Sequence, residues 1–279
     1  MSDPSTDTPR SAARLTIILD ELARASVHGL RLTDIVEVTG LGKTTAHRLL
    51  NGLADQGLID FDEDTGRFFM GMKMLAWAAA ARNRFNIAKM AEPALASITR
   101  ETEDTAYLIG RSGDFAVCLD CWEGTFPIKV LTLHIGDRRP LGIGAGSLAL
   151  LAALPDADVT RILTQQAGKR SQYTFSDERL REMVAETRRN GYAYNDVHVH
   201  KDMAGVTGMA AVAVAVRRAD GAPVAALHTT SITARLAQPR RDEVVRMLKA
   251  EGRKLETYLQ PVFETPSLQS RTPVTGSFN

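Results

Sequence analysis

The stretch TGLGKTTAHRLLNGLADQGLI, residues 39–59, sets a glycine turn ahead of a run whose apolar residues fall at helical spacing. Ala46, Leu49, Leu50 and Leu53 follow the i, i+3, i+4, i+7 pattern of one buried helix face. Thr44, His47, Arg48 and Asn51 lie on the other side of that helix. Upstream, Leu15, Ile18, Leu19 and Leu22 predict a helix over 11–26. LTDIVEVTG, residues 32–40, predicts a shorter one with Thr33 as N-cap and Gly40 as its left-handed stop. Downstream, LIDFDEDTGRFFMG predicts two short strands, 58–61 and 67–70, around a turn at Asp64, Thr65 and Gly66. Three small helices and a hairpin make a winged helix-turn-helix over 11–71.

A helix presented behind a tight turn fits the major groove of B-form DNA. On such a helix Arg48 bridges guanine O6 and N7, and Asn51 pairs with adenine, each contact worth about 1–3 kcal/mol of discrimination. Lys43, Thr44 and Thr45, near the helix N-terminus, suit phosphates, His47 on the same exposed face is a further candidate DNA contact, and Arg67 is the candidate phosphate contact of an otherwise acidic wing. The opposing reading is a plain wet surface or a protein contact. Charge weighs on that side: residues 1–84 hold 10 Lys+Arg against 11 Asp+Glu, a net of −1, while phosphate neutralisation dominates DNA affinity. A dimer offering two such surfaces meets the objection.

The whole chain of 279 residues is near neutral, with 34 Lys+Arg against 33 Asp+Glu, and its length suggests about two domains. No apolar run is long enough to span a bilayer, and the N-terminus lacks the order of a secretory signal, so a cytoplasmic protein with no membrane partner is expected. Residues 1–10 read as a disordered lead, 72–85 as a linker helix with a Met72, Leu75, Ala76, Ala79 stripe, and 265–279 as a disordered tail.

From residue 86 to 264 the texture is mixed α and β. Strands are expected at TAYLIGR, FAVCLDCWEG, IKVLTLHI, about 208–217 and about 222–230, with helices near 156–165, 176–190 and 240–259. The result is an antiparallel sheet of five or six strands flanked by helices, hence an α+β chain overall. In a strand, period 2 sends Cys118 and Cys121 to opposite faces, and two thiols do not close a zinc site. Gly142, Gly144 and Gly146 open a helix, either to permit close packing or to expose backbone N–H groups to a small anion; they match neither a P-loop nor a dinucleotide frame. His198 and His200 without a third ligand argue little for metal, and Ser147 has no visible base, so neither a catalytic residue, a metal nor a cofactor is assigned. His228 reads either as a satisfied strand histidine or as a polar contact in a ligand pocket.

The order of RLTDIVEVTGLGKTTAHRLLNGLADQGLIDFDEDTGRFFMG, VCLDCWEG, RRPLGIGAGSLALLA, GYAYN and AGVTGMAAVAV resembles the IclR family of bacterial transcription regulators over roughly residues 11–260. The resemblance implies a winged helix-turn-helix joined to a GAF-like effector-binding domain, a homodimer or homotetramer, double-stranded operator DNA and a small-molecule effector as partners, and a regulator rather than an enzyme. Carried over by position, it implies effector contacts at Gly144, Ala145, Asn195, Val206, Gly208, His228 and Thr230. An enzyme using the α/β domain, or a sensor that binds proteins, remains the alternative.

Overall fold

The computed structural model describes residues 10–259 apart from Ala204; of the lead expected over 1–10, residues 1–9 lie outside the described residues, as does the tail expected over 265–279, whereas Arg10 already begins a helix. The chain divides into two compact units at residues 85 and 86.

The first unit opens with helix α1 (Arg10–Ala25), then a two-residue strand β1 (Leu30–Arg31), α2 (Leu32–Thr39) and α3 (Lys43–Asp55). A hairpin of β2 (Ile59–Asp62) and β3 (Arg67–Met70) follows, then α4 (Lys73–Phe85). The apolar stripes meet as their spacing predicts: Ile18, Leu22, Ile35, Leu50, Leu53, Ile59 and Phe68 form one core, with Leu15, Leu19 and Leu49 against it. Two details differ. Thr33 lies inside α2 and is not its N-cap; the cap falls two residues earlier, at Arg31, and Asp34 Oδ2 accepts the Arg31 N–H at 2.9 Å, satisfying the end from within the first turn. The hairpin also gains a third strand, β1, paired with β3 at Leu30↔Phe68, a pairing too short to leave a periodic signal. Gly40 ends α2 in the left-handed region as expected, its N–H donating to the Val36 carbonyl. On or beside α4, Met72, Leu75 and Trp77 are 74%, 64% and 52% exposed.

The second unit runs α5 (Ile87–Thr102), β4 (Thr105–Ser112), β5 (Phe115–Trp122), β6 (Arg138–Pro140), α6 (Ala145–Ala152), α7 (Asp156–Gln165) and α8 (Asp177–Asn190). It closes with β7 (Ala193–Asn195), β8 (Met209–Arg217), β9 (Pro223–Ile232) and α9 (Arg240–Leu259). All six strands join one antiparallel sheet in the order β6-β5-β4-β9-β8-β7. The sheet is buried on both faces, which explains the unbroken apolar run AAVAVAV in β8. Ala210, Val212, Val214 and Val216 face α5 and α9, whereas Ala211 and Ala213 face the α6 side.

IKVLTLHI, expected as a strand, is not one. Its carbonyls are taken by side chains instead of a ladder: the Thr230 hydroxyl donates to Val130 O at 2.7 Å, and Arg139 donates to Thr132 O at 2.6 Å. Parity also fails for the cysteines. A register shift at Leu108/Ile109 leaves an extra residue in β5, so Cys118 and Cys121 both pack toward the α6-side core.

The second unit is tied together at Asp104, whose side chain is 2% exposed. It accepts from Arg235 Nε at 2.9 Å, Arg240 at 3.0 Å and Ser231 Oγ at 2.6 Å, joining the end of α5 to β9 and α9. Removing the carboxylate strands two guanidinium groups that still reach some water, so Asp104→Ala is expected to lower unfolding free energy by about 3 kcal/mol in urea titration. Asp158→Ala, which breaks an exposed pair with Arg161, is expected to cost about 0.5 kcal/mol or less.

Candidate functional site

Two surfaces follow from this framework. On the first unit, α3 carries Lys43, Thr44, His47, Arg48 and Asn51 exposed along one face, with Thr45 half-buried at its start. Neither Lys43 nor Arg48 forms an ion pair among the described residues. Gly42 caps α3 with no side-chain bond, so its first N–H groups are open to an anion. Arg67 is placed differently from the others: its guanidinium donates to the carbonyls of His28 and Gly29 at 3.2 and 3.1 Å, stapling the wing to the chain before β1. At the wing turn, the Thr65 backbone N–H holds the Asp62 carboxyl below its usual range, which keeps negative charge there.

On the second unit, the α6 side of the sheet lines a partly open cavity of about 50 Å3. Its position depends on the three glycines, each for a different reason. Gly142 and Gly144 hold φ of +98° and +86°, which side-chain-bearing residues rarely adopt. Gly146 instead permits close approach, since a Cβ there would lie 2.7 Å from Ile109 Cγ1 and 3.4 Å from His228 Nδ1. The first turn of α6 is therefore pressed onto β4 and β9.

The floor is written in the strand register. Asn195, Ala211 and Thr230 form one row across β7, β8 and β9, and Ala193, Ala213, His228 and Tyr107 form the next. Two alanines thus leave a trough between Asn195 and the His228/Thr230 pair, about 10 Å across at two strand spacings. Segment 130–139 and residues 197–199 supply the remaining walls, including Val130, Leu133, His198 and Val199.

Five of the seven residues carried over from the resemblance line this cavity: Gly144, Ala145, Asn195, His228 and Thr230. Val206 and Gly208 do not. Both are exposed on the approach to β8, and Met209, Ala210 and Ala211 line the cavity in their place. Sequence reasoning missed Arg139, Cys118, Ser147 and His198 as lining residues. Arg139 stood in the quoted RRPLGIGAGS block, just before the glycines, but nothing in that block sets it apart from Arg138 until β6 is in place.

The polar groups differ in how free they are. The Ser147 hydroxyl accepts from the Gly142 N–H and donates to Pro140 O, both at 3.0 Å, so it clips the glycine loop and is not poised as a nucleophile. Burial pushes the Cys118 thiol up to about 12, so it stays protonated. Arg139 donates to Thr132 O and has no carboxylate within ion-pair distance among the described residues. Burial pulls its guanidinium below the usual arginine range. His198 makes a ring contact with His200, which in turn packs on Tyr173.

His228 is the most constrained group. It is 3% exposed, stacks on Tyr107 at 5.3 Å between ring centroids, and neither ring nitrogen has a hydrogen-bond partner. Burial, reinforced by the Arg139 charge, pushes its pKa down to about 3. An unfolded chain takes up this proton near pH 6.5 while the folded chain resists it until about pH 3, so between those values the unfolded state binds more protons. Stability conferred by the neutral ring is complete above pH 6.5 and falls as pH drops, by up to about 1.4 kcal/mol per pH unit. His228→Leu is expected to keep its stability at pH 7 and to lose it less steeply than the wild type between pH 6.5 and 3, as read by urea denaturation at each pH.

The profile of the bacterial transcriptional regulator IclR C-terminal domain matches residues 79–257, and that of the IclR helix-turn-helix domain matches residues 11–63. Among curated proteins, the chain is 30% identical over 165 residues to the HTH-type transcriptional regulator KipR of Bacillus subtilis, covering 58% of this chain and 65% of KipR. It is 29% identical over 234 residues to XynR of Escherichia coli, covering 81% and 88%. Among solved structures, an IclR transcriptional regulator from Alicyclobacillus acidocaldarius matches with a TM-score of 0.73 at 22% identity, covering 89% of this chain and 98% of that one. An IclR homolog from Microbacterium hydrocarbonoxydans, crystallised with 4-hydroxybenzoate, matches with a TM-score of 0.68 at 20% identity and the same coverage.

Proposed function

The chain belongs to the IclR family of bacterial transcriptional regulators, and from that premise we propose that it is a ligand-responsive reader of double-stranded DNA whose second unit binds a small organic acid. The observation that carries the DNA half is the face of α3: exposed Lys43, Thr44, His47, Arg48 and Asn51 with free cations and an uncapped helix start. On this reading Arg48 and Asn51 read base edges, and Lys43, Thr44 and Thr45 hold phosphates. Arg67 serves the wing's shape rather than its contact, because its guanidinium is already engaged with two carbonyls.

The cavity supports the other half. A partly open pocket lined by Arg139, which has no ion pair, by Asp137, by the open start of a helix and by unpaired His228 suits a small anion that carries further polar groups. A ligand regulates only if it binds one arrangement of the protein better than another. Assembly as a homodimer or homotetramer supplies such arrangements, since two recognition helices must then match half-sites about one DNA turn apart. The exposed Met72, just before α4, and Leu75 in its first turn lie three residues apart on one side and give that end an apolar edge suited to a second copy.

Binding of the full chain to its own upstream DNA and to a scrambled duplex, followed by fluorescence anisotropy over a salt series, tests the reading. Wild type is expected to prefer the upstream DNA, and Arg48→Ala to lose about 1–3 kcal/mol of that preference. Equal, weak binding of wild type to both duplexes would refute base readout by α3 at that site.

A further inference from the structure

Strand β7 covers the outer edge of β8 only from Ala211 to Ala213. Farther along that edge lies a second, open cleft of about 320 Å3, between β8, α9 and the last turns of α6 and α8. Its walls are low, with Ala149, Ala152, Ala153, Ala215 and Gly252 among them, and it shares no lining residue with the cavity at the start of α6.

The strand register sets what the edge offers. The Thr233 N–H donates to Gly208 O at 2.9 Å, and from there every second residue of β8, Ala210 to Val216, shares its hydrogen bonds with β9. The residues between them turn N–H and C=O to the outer edge. Ala211 and Ala213 meet β7 there, and the Arg217 N–H donates to Glu256 Oε1 at 2.8 Å. Ala215, left between these two closures, turns its N–H and C=O into the cleft, and no described residue pairs with either.

Four cations surround this gap: Arg188, Arg217, Lys249 and Arg253. The one carboxylate among the lining residues, Glu256, is held by backbone. Arg188 is engaged by Asp156 and by the carbonyls of Ala152 and Leu154, and Arg217 by those of Ala153 and Gly221. Lys249 reaches Asn190 O at 3.4 Å and the Tyr192 ring, with no carboxylate in range. Arg253, one turn on along α9, has no side-chain hydrogen bond or ion pair among the described residues. Like charges at this spacing repel. Gly252 holds the pair against the open edge, since a Cβ there would lie 3.7 Å from Val214 and 3.9 Å from Val216, the neighbours of Ala215.

Two unneutralised cations beside a free N–H call for an anion of more than one charge. A carboxylate brings one charge and two oxygens, whereas a phosphoryl group brings nearly two charges and three oxygens. At about 12 Å3 for each water-sized group, the cleft exceeds inorganic phosphate several-fold, so the group arrives on a larger body. We propose that this cleft is a second ligand site, which binds a small phosphorylated metabolite through Lys249, Arg253 and the Ala215 N–H.

The test is calorimetric titration of the full chain, without DNA, with ribose 5-phosphate, ribose and inorganic phosphate at one ionic strength. Ribose 5-phosphate is expected to bind, inorganic phosphate to bind more weakly, and ribose not to bind. Lys249→Gln with Arg253→Gln is expected to weaken ribose 5-phosphate at least about tenfold. Arg181→Gln with Arg189→Gln removes the same charge from α8 outside the cleft, and is expected to leave binding within about twofold. Urea denaturation of both double variants separates loss of the site from loss of the fold. Equal weakening in the two double variants overturns the site in favour of diffuse attraction. Equal binding of ribose and ribose 5-phosphate overturns the phosphoryl assignment, and inorganic phosphate binding as tightly as ribose 5-phosphate overturns the larger body. No binding of either phosphate at millimolar concentration overturns the proposal entirely. With DNA and organic acids absent, each outcome is independent of the regulator reading.

Discussion

The close approach of α6 to the sheet at Gly146 is the constraint on which the second unit's chemistry depends. A side chain there would collide with Ile109, and the Gly142 and Gly144 backbone could not turn as it does with ordinary residues. Pressed down, the helix start brings its free N–H groups over a floor kept low by Ala211 and Ala213. The Ser147 hydroxyl then locks the loop that feeds the helix. The cavity, the open helix end and the buried imidazole are all consequences of that packing.

The polar groups left unpaired inside the cavity run against the usual economy of a core. Buried polar atoms are normally satisfied, and an unpartnered one costs about 1–3 kcal/mol. Here Thr229, Ser231 and Asp104 on the opposite side of β9 are all hydrogen-bonded, while His228 on the α6 side is not. On the α6 side of the same strand Thr230 is paired with Val130 O, and His228 is the residue left without a partner. That contrast separates a structural network, anchored by Arg235 and Arg240, from a site that a ligand would complete.

Much of the architecture was legible from the residues. Helical stripes at Ile18 and Leu22, Ile35, and Leu50 and Leu53 sit in the winged core, and Gly40 stops α2 as expected. The final helix, the β8–β9 hairpin and the glycine-opened α6 also stand where periodicity and turn residues put them. The misreadings share a cause, because period-2 and propensity arguments see only local chain. IKVLTLHI has strand composition, yet its carbonyls are claimed by Thr230 and Arg139 from distant elements. The bulge in β5 that turns Cys118 and Cys121 to one face depends on its pairing with β4. Arg139 became visible as a cavity residue only once β6 and the α6 loop were placed, and Val206 and Gly208 fell outside once β8 was seen to begin at Met209.

In a chain of the IclR family, regulation by a ligand requires that binding in the second unit alter DNA binding by the first. If the cavity ligand regulates DNA binding, its affinity must differ between free and DNA-bound protein by the factor through which it changes DNA affinity, because linkage is reciprocal. The decisive measurement is a titration of a small carboxylate found to bind the second unit, lactate being the first to try, into the full chain alone and into the chain saturated with its upstream DNA. The account predicts dissociation constants that differ by about fivefold or more between the two titrations. Identical constants would contradict it, leaving a DNA reader and a ligand site that share a chain without sharing a function.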